Sequence, residues 1–438
     1  MSFTKDSMRF IKALPFLCLL ILATSCSSDS AEQIKDLFAT VPADAEIVAV
    51  CNIAESIKHS GGKISDGNVE NADRIITLVA GKDAALKKRL QWILSPESGI
   101  SAEPAVCFFQ GGAPVVEAYL SDADKFRKGY LSIEPGEWTE VKSGKSSIFV
   151  KEGIGVSGNK LIVGRNVNAD YAGKLLGLSE VESFNSVDYS EKMTESDDDI
   201  TLWGDIDRLL SFSGAGFAVK TQIRLGLGML FNNPKYLVGN ANFDKKGVEL
   251  ETYILDNTLK PSKCELELSK IDPARVASLG GNANGIAAIA VSGKLVKQIQ
   301  DVASSAGGAL PAMFSSILSP LDGTIAIASE AASSSPATYL NDGFRMTIST
   351  NGKEDAQLAQ TLQAFGAVDI EGKILNVSKG SYGNGALSLQ STAEEFKDAW
   401  FGVAYKLQDS SLPSINTLLI KGVASDNTLK LRMKLEWK

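Results

Sequence analysis

Cys26 is the residue best placed for covalent chemistry, because it closes Leu22-Ala23-Thr24-Ser25-Cys26 behind Lys5, Arg9, Lys12 and an apolar run from Ala13 to Ala23. A thiol in that position is the acyl acceptor of a bacterial lipoprotein signal. Residues 1–25 therefore read as a cleaved signal peptide and Cys26 as the lipidated first residue of the mature chain. The eleven apolar residues of the leader rise through only about half of a ~30 Å hydrocarbon core, so they do not span it. No later run of ~18 apolar residues follows, which leaves palmitate-type acyl chains as the attachment to the bilayer. Met8, just before Arg9, offers an alternative start to Met1. Ser27 after the cysteine, rather than an acid, favours outer-membrane delivery, with the body on the periplasmic face or the cell surface.

Other chemistries find less support. His59 is the only histidine, so a Ser-His-Asp or Cys-His arrangement or a histidine-rich zinc site would rest on it alone. Its setting, Lys58-His59-Ser60-Gly61-Gly62, reads as a helix end, where a polar or cationic side chain suits the exposed carbonyls. Ser60-Gly61-Gly62-Lys63 and Ser425-Asp426-Asn427 match two of the three elements of penicillin-recognising enzymes, but Lys-Thr-Gly is absent. Gly214-Ala215-Gly216-Phe217-Ala218-Val219 misses the dinucleotide fingerprint at its last position and follows a helical stretch instead of a strand.

Gly226 and Gly228, between Leu225, Leu227 and Leu230, suggest close helix packing. Asp197-Asp198-Asp199 with Asp205 and Asp207 lacks the glycine and distal glutamate of a calcium loop. It reads as a solvated loop before a strand, with Asp205 capping the next helix. Trp92, Trp138, Trp203 and Trp400 are read as packing groups. Catalytic, cofactor and metal residues are thus expected to be none, although 52 acidic residues leave a glycosidase-type carboxylate pair open.

The formal charge is −8, near −10 once the three bases and one acid of residues 1–25 are removed. An acidic body without a Lys/Arg cluster argues against nucleic acid as a partner. Cys51, Cys107 and Cys264 are widely spaced in apolar surroundings and read as buried thiols, not as a disulfide framework.

The elements that must carry these residues repeat. Ile93-Leu94-Ser95-Pro96-Glu97-Ser98-Gly99 recurs as Ile317-Leu318-Ser319-Pro320-Leu321-Asp322-Gly323, each copy ending a helix before an apolar strand. Upstream, Glu46 to Val50 entering a helix is matched by Gly285 to Val291 entering another, over Ser292 to Ala303. Downstream, Val115 to Leu120 before a helix from Asp122 to Tyr130 is matched by Phe344 to Ser349 before one from Lys353 to Phe365. Hairpins follow, including Ile374 to Val377 with Ala386 to Leu389 around Gly383-Asn384-Gly385. Each half closes on a long hairpin, Lys235 to Leu255 and Ile415 to Trp437. The expected class is α+β, two related halves of antiparallel sheet with helices packed on one face. A tether over 26–37 precedes the halves, at 38–258 and 270–438.

Val41-Pro42-Ala43-Asp44-Ala45, Pro96-Glu97-Ser98-Gly99-Ile100 and Leu321-Asp322-Gly323, each before a strand and in this order, resemble an uncharacterised envelope lipoprotein family of Bacteroidetes. Asp29 and Glu32 resemble the acidic export tags of lipoproteins from the same bacteria. The resemblance implies an envelope location and no chemistry. The leading expectation is a non-catalytic lipoprotein that binds an envelope protein or a polysaccharide. The alternative is a carboxylate-based glycan-active enzyme or a glycan-binding module.

Overall fold

The apolar and alternating runs become the strands of one antiparallel sheet of eighteen strands. The computed structural model describes residues 30–437 except 66–67, 71–75, 78–79, 81–82, 144–145, 213–215, 307–317, 331–342, 354, 408–414 and 426–427. In chain order come helix α1 (Ser30–Phe38), strand β1 (Ile47–Cys51), helix α2 (Ile53–His59), the short pair β2 (Lys63–Ser65) and β3 (Asn68–Glu70), and helix α3 (Ala84–Ile93). Strands β4 (Ala105–Gln110) and β5 (Ala113–Tyr119) are followed by helix α4 (Ala123–Tyr130). Next are β6 (Thr139–Ser143), β7 (Ser146–Lys151), β8 (Ile154–Ser157) and β9 (Lys160–Gly164). Helices α5 (Ala169–Leu176) and α6 (Ser190–Thr194) lead to β10 (Ile200–Asp205), α7 (Ile206–Phe212), α8 (Phe217–Leu230), β11 (Tyr236–Phe243) and β12 (Gly247–Leu255).

The second part runs α9 (Pro273–Ser278), β13 (Asn282–Ala283), β14 (Gly285–Val291), α10 (Gly293–Ala306), β15 (Leu321–Ser329) and β16 (Phe344–Thr350). It ends with α11 (Asp355–Leu362), β17 (Ala367–Glu371), β18 (Ile374–Lys379), β19 (Leu387–Ser388), α12 (Leu389–Phe396), β20 (Ala399–Lys406), β21 (Ile415–Ser425) and β22 (Thr428–Trp437).

Outward from β12, the ladder runs through β11, β10, β1, β4, β5, β9, β8 and β7 to β6. Outward from β22, it runs through β21, β20, β14, β15, β16 and β18 to β17. The two sides meet where β12 pairs with β22, Gly247 opposite Glu436 and Tyr253 opposite Lys430. Glu251 anchors this seam, accepting from Lys430 Nζ at 2.6 Å and Arg432 Nε at 2.7 Å. Burial works against its charge, but these two cations hold its carboxyl below the usual range.

Helices cover both faces of the sheet, which corrects the expectation of one covered face. Val48, Val50, Val106 and Phe108 pack with Ile34, Leu37 and Phe38 of α1 and with Leu175 and Met193. On the opposite face, Ala49, Cys51, Cys107 and Phe109 pack with Ile53 and Ile57 of α2 and with Phe126 of α4. The second part does the same, with Ile286, Ala288 and Phe396 on one side and Val291, Val296, Ile348 and Leu358 on the other. The cue lay in Ile47–Cys51 and Ala105–Gln110, whose unbroken apolar runs suit strands covered twice. Each such Ile, Leu or Phe contributes about 1.5–3 kcal/mol by burial.

Local signals set most boundaries. Asp83, Asp122 and Asn168 cap α3, α4 and α5 by accepting from the N–H groups of Leu86, Lys125 and Tyr171. Gly99 ends the first repeat motif at φ +66°, and a Cβ there would stand 2.4 Å from the Asp122 carbonyl oxygen. Ile317, in the second copy, lies outside the described residues.

Two further expectations change. Residues from Ser30 form α1, with Ile34, Leu37 and Phe38 buried, so the part of the expected 26–37 tether that is described is helix; residues 26–29 lie outside the described residues. Ile374–Lys379 pairs with β16 and β17 and not with Leu387–Ser388, which instead pairs with Asn282–Ala283. Asn282 also bridges to Gly383, so the glycine-rich stretch contacts β13 instead of closing a local hairpin.

A carboxylate sits beneath the first helix. Glu117 of β5 is 1% exposed, accepts from the Thr40 hydroxyl just after α1, and has one oxygen without a partner. Burial pushes its pKa up to about 7.

Two outcomes follow. Glu251→Gln should lower unfolding stability by about 1–3 kcal/mol in urea titrations at pH 7. Because the Glu251 pKa is depressed, that contribution is present above the unfolded value of about 4.3 and is lost as pH falls through the lower folded value. Glu117 acts in the opposite sense, since its raised pKa makes ionisation destabilising as pH climbs from about 4.5 to about 7. Glu117→Gln should therefore gain up to about 3 kcal/mol over the wild type at pH 8 and nothing at pH 4. Parallel stability curves for the two proteins would refute this linkage.

Candidate functional site

The corner where β10 ends and α7 begins gathers charged and aromatic groups. Asp205 turns the strand into the helix, its Oδ1 accepting from the N–H groups of Asp207 at 2.9 Å and Arg208 at 3.1 Å. That is the capping role expected from sequence. Its Oδ2 lies 3.0 Å from Lys235 Nζ at the start of β11. Arg208 reaches back to the segment entering β1 and donates to the carbonyls of Ala43 at 2.8 Å and Ala45 at 3.1 Å. Asp207 pairs with Lys235 at 3.3 Å and with Arg224 of α8. Partial burial disfavours its charge, yet the bonds from Arg224 and Lys235 hold its carboxyl below the ordinary range.

Above this network lies a cleft of about 210 Å³, lined by Asp188, Tyr189, Trp203, Asp205, Arg208 and Tyr236 among others. Trp203 is 2% exposed and packs edge-on against Phe184 at 5.2 Å and tilted against Tyr236 at 5.6 Å. Its indole N–H has no acceptor among the described residues. A buried donor without a partner is uncommon and costly, which marks this wall of the cleft. Burial also pushes the Tyr189 phenol up, so it stays a neutral donor. Two larger openings, about 510 and 440 Å³, lie beside the β6–β9 strands. In the first, Arg127 is committed to the Phe149 ring and to Asp124.

The other candidates fall elsewhere. Among the described residues no group of three or more His, Cys, Asp and Glu side chains could hold a metal ion. Cys51, Cys107 and Cys264 are buried and form no disulfide with one another. Cys26, the lipidation candidate, lies outside the described residues, as do Gly214, Ala215, Asp426 and Asn427. Trp92 and Trp138 pack around Phe126 and Tyr130, and Trp400 packs on Phe401. Gly226 and Gly228 do not pack closely, since a Cβ added at either would meet nothing within 4 Å.

His59 and Asp199, read separately in the sequence, come together. Asp199 is fully buried and not part of a solvated loop; it accepts from the Phe243 N–H at 2.6 Å and faces His59 Nδ1 at 2.9 Å. Burial raises its pKa against those bonds. Asn52 and Asn242 fasten the adjacent turn by donating to the Asp198 backbone carbonyl and side chain at 2.7 Å each. The pair ties the end of α2 to the paired strands β10 and β11. The other carboxylate beside His59 is Glu55, 3.8 Å from His59 Nε2. The signal missed in the sequence was that Asp199 immediately precedes an inward strand.

His59→Ala leaves the Asp199 carboxylate buried with one donor fewer. It should lower urea-unfolding stability by about 1–2 kcal/mol while the secondary structure seen by circular dichroism is kept. An unchanged midpoint would show that the pair does not brace these strands.

No protein-family model matches the chain, and no curated protein matches it. Among solved structures, crystal form I of TP0453 is similar at 13% identity and a TM-score of 0.28, covering 51% of this chain and 80% of that one. Crystal form III of TP0453 is similar at 11% identity and a TM-score of 0.24, covering 82% and 96%. At those TM-scores the likeness carries no conclusion about fold or function.

Proposed function

We propose that the chain is an outer-membrane lipoprotein, acylated at Cys26, whose body binds a protein or polymer partner without transforming it. The observation that carries this reading is the state of the charged groups around the Trp203 cleft. A carboxylate acting as general acid or base must take up and release a proton during turnover. Asp205 is saturated by two backbone N–H groups and Lys235, and Asp207 by Lys235 and Arg224. Arg208 is spent partly on two carbonyls. These groups hold the walls in place, while the indole N–H of Trp203 is left without an acceptor. Fixed walls with an unused donor suit binding.

The body is read as two related halves. Strands β1, β4, β5, β8, β9, β10, β11 and β12 pair among themselves in the same pattern as β14, β15, β16, β17, β18, β20, β21 and β22. A second functional reading, a glycan-binding module, is favoured by the half-buried Tyr236 ring, which lines the cleft beside polar groups and packs on the buried Trp203.

In-cell cross-linking with affinity capture and mass spectrometry tests the proposal. Wild type should recover a reproducible partner that is lost with Cys26→Ala, which misplaces the body, and with Tyr236→Ala, which alters the cleft wall. Equal recovery from all three proteins, or no partner, overturns the binding role. A thermal shift with oligosaccharides that Tyr236→Ala abolishes would transfer the role to the glycan reading. After a salt wash, Cys26→Ala should leave the membrane fraction; continued retention overturns the anchor.

A further inference from the structure

Helix α8 exposes much of its apolar surface. Its only charged residues, Lys220 and Arg224, lie on the side next to α7: Lys220 donates to the Ser211 carbonyl at 2.8 Å, and Arg224 pairs with Asp207 of α7 while its side chain stays 66% exposed. The apolar side chains stand in the open, with Phe217 86%, Leu225 59%, Val219 44% and Ile223 42% exposed. An ordinary surface helix buries its apolar stripe and turns its charges to water. Among the described residues nothing covers this stripe, since even a Cβ added at Gly226 or Gly228 would touch nothing within 4 Å.

We propose that α8 is a membrane-docking helix that lays its apolar side into the surface of an anionic phospholipid bilayer. Three observations select this occupant. The first is charge: the helix carries two bases and no acid in a chain whose formal charge is −8, so it is the local exception that an anionic surface attracts. The second is chemistry. The exposed side offers apolar area with few hydrogen-bonding groups, which a fluid acyl boundary accepts without shape complementarity. The third is reach. Three residues, Ser27 to Asp29, separate Cys26 from Ser30 at the start of α1, so the Cα atoms of Cys26 and Ser30 lie at most about 14 Å apart. An acylated Cys26 therefore keeps the body against the bilayer. Only this third argument rests on the lipoprotein proposal.

The position of α8 in the chain agrees. Residues 206–235 between β10 and β11 hold α7 and α8, whereas residues 407–414 join the corresponding β20 and β21. In the two-halves reading α8 is thus an addition to one half, on a connection of the kind that carries function.

The test uses the body from residue 27 onward, which retains every described residue and no acyl chain, so its outcome is independent of the anchor. Co-sedimentation would be measured with vesicles of phosphatidylglycerol and phosphatidylethanolamine and with vesicles of phosphatidylcholine alone. The expected result is at least tenfold stronger partition onto the anionic vesicles, weakening as salt rises. Ile223→Gln with Leu225→Gln, at exposed positions of a good helix, should cut that partition at least tenfold with no change in Tm. Absence of vesicle binding at low salt, or equal binding by the double variant, overturns the proposal. So does a dimer in sedimentation velocity that the double variant dissolves, which would give the helix to a second copy of the chain.

Discussion

The pairing of β12 with β22 is the contact on which the architecture depends. It is the one strand ladder among the described residues that joins the two sides of the sheet. Backbone bonds alone would let such a seam slip by two residues, because the side-chain period is two. Glu251 resists slippage: it sits opposite Arg432 and beside Lys430, and accepts from both. Lys430 also lies 5.5 Å from the Tyr253 ring, and Trp437 Nε1 donates to the Asp244 carbonyl at the far end of the seam. Register is thus held by charge at one end and by an indole hydrogen bond at the other.

Covering the sheet on both faces has a cost that appears at three carboxylates. Glu117, Asp199 and Asp205 are each at most 5% exposed, and burying an ion is tolerated only with compensating partners. The three differ in what they receive. Asp205 gains two N–H groups and an ammonium, Asp199 an N–H and an imidazole, and Glu117 one hydroxyl. Burial raises the pKa of both Glu117 and Asp199, and the rise to about 7 belongs to Glu117, whose set is the poorer of the two. The same accounting separates structure from chemistry at the α7 corner, where the cleft is walled by groups already bonded to one another.

Much of the fold was legible. Strict alternation in Leu429, Leu431, Met433, Leu435 and Trp437 announced β22, and Asp-Lys-Lys-Gly at 244–247 announced the β11–β12 turn. The α+β class and the long terminal hairpins followed from such local signals. Helices on the second face were not legible from alternation, because a doubly covered strand such as Ile47–Cys51 has no polar side to read. The supposed hairpin at 374–389 failed for another reason: Gly383 and Asn384 looked like a turn, but their partners, Asn282 and Glu330, are distant in sequence. The cleft stayed hidden because Ala43, Tyr189, Trp203, Arg208 and Tyr236 come from separate elements with no common spacing. Glu117 did leave a trace, as the lone acid within Ala113–Tyr119, an otherwise apolar strand.

The outermost described strands of the sheet, β6 and β17, have a consequence for behaviour in a crowd. An open sheet presents unpaired N–H and C=O groups at its edges, a template on which another copy could add strands without limit. Crowding of copies raises their effective concentration and sharpens that hazard. Both edges carry exposed charge, Glu140 and Lys142 on β6 and Asp369 and Glu371 on β17. An antiparallel approach of two β17 edges would bring acid against acid. The ends of the sheet are therefore built as stops, and neighbouring copies can pack densely on a surface without fusing into a fibre.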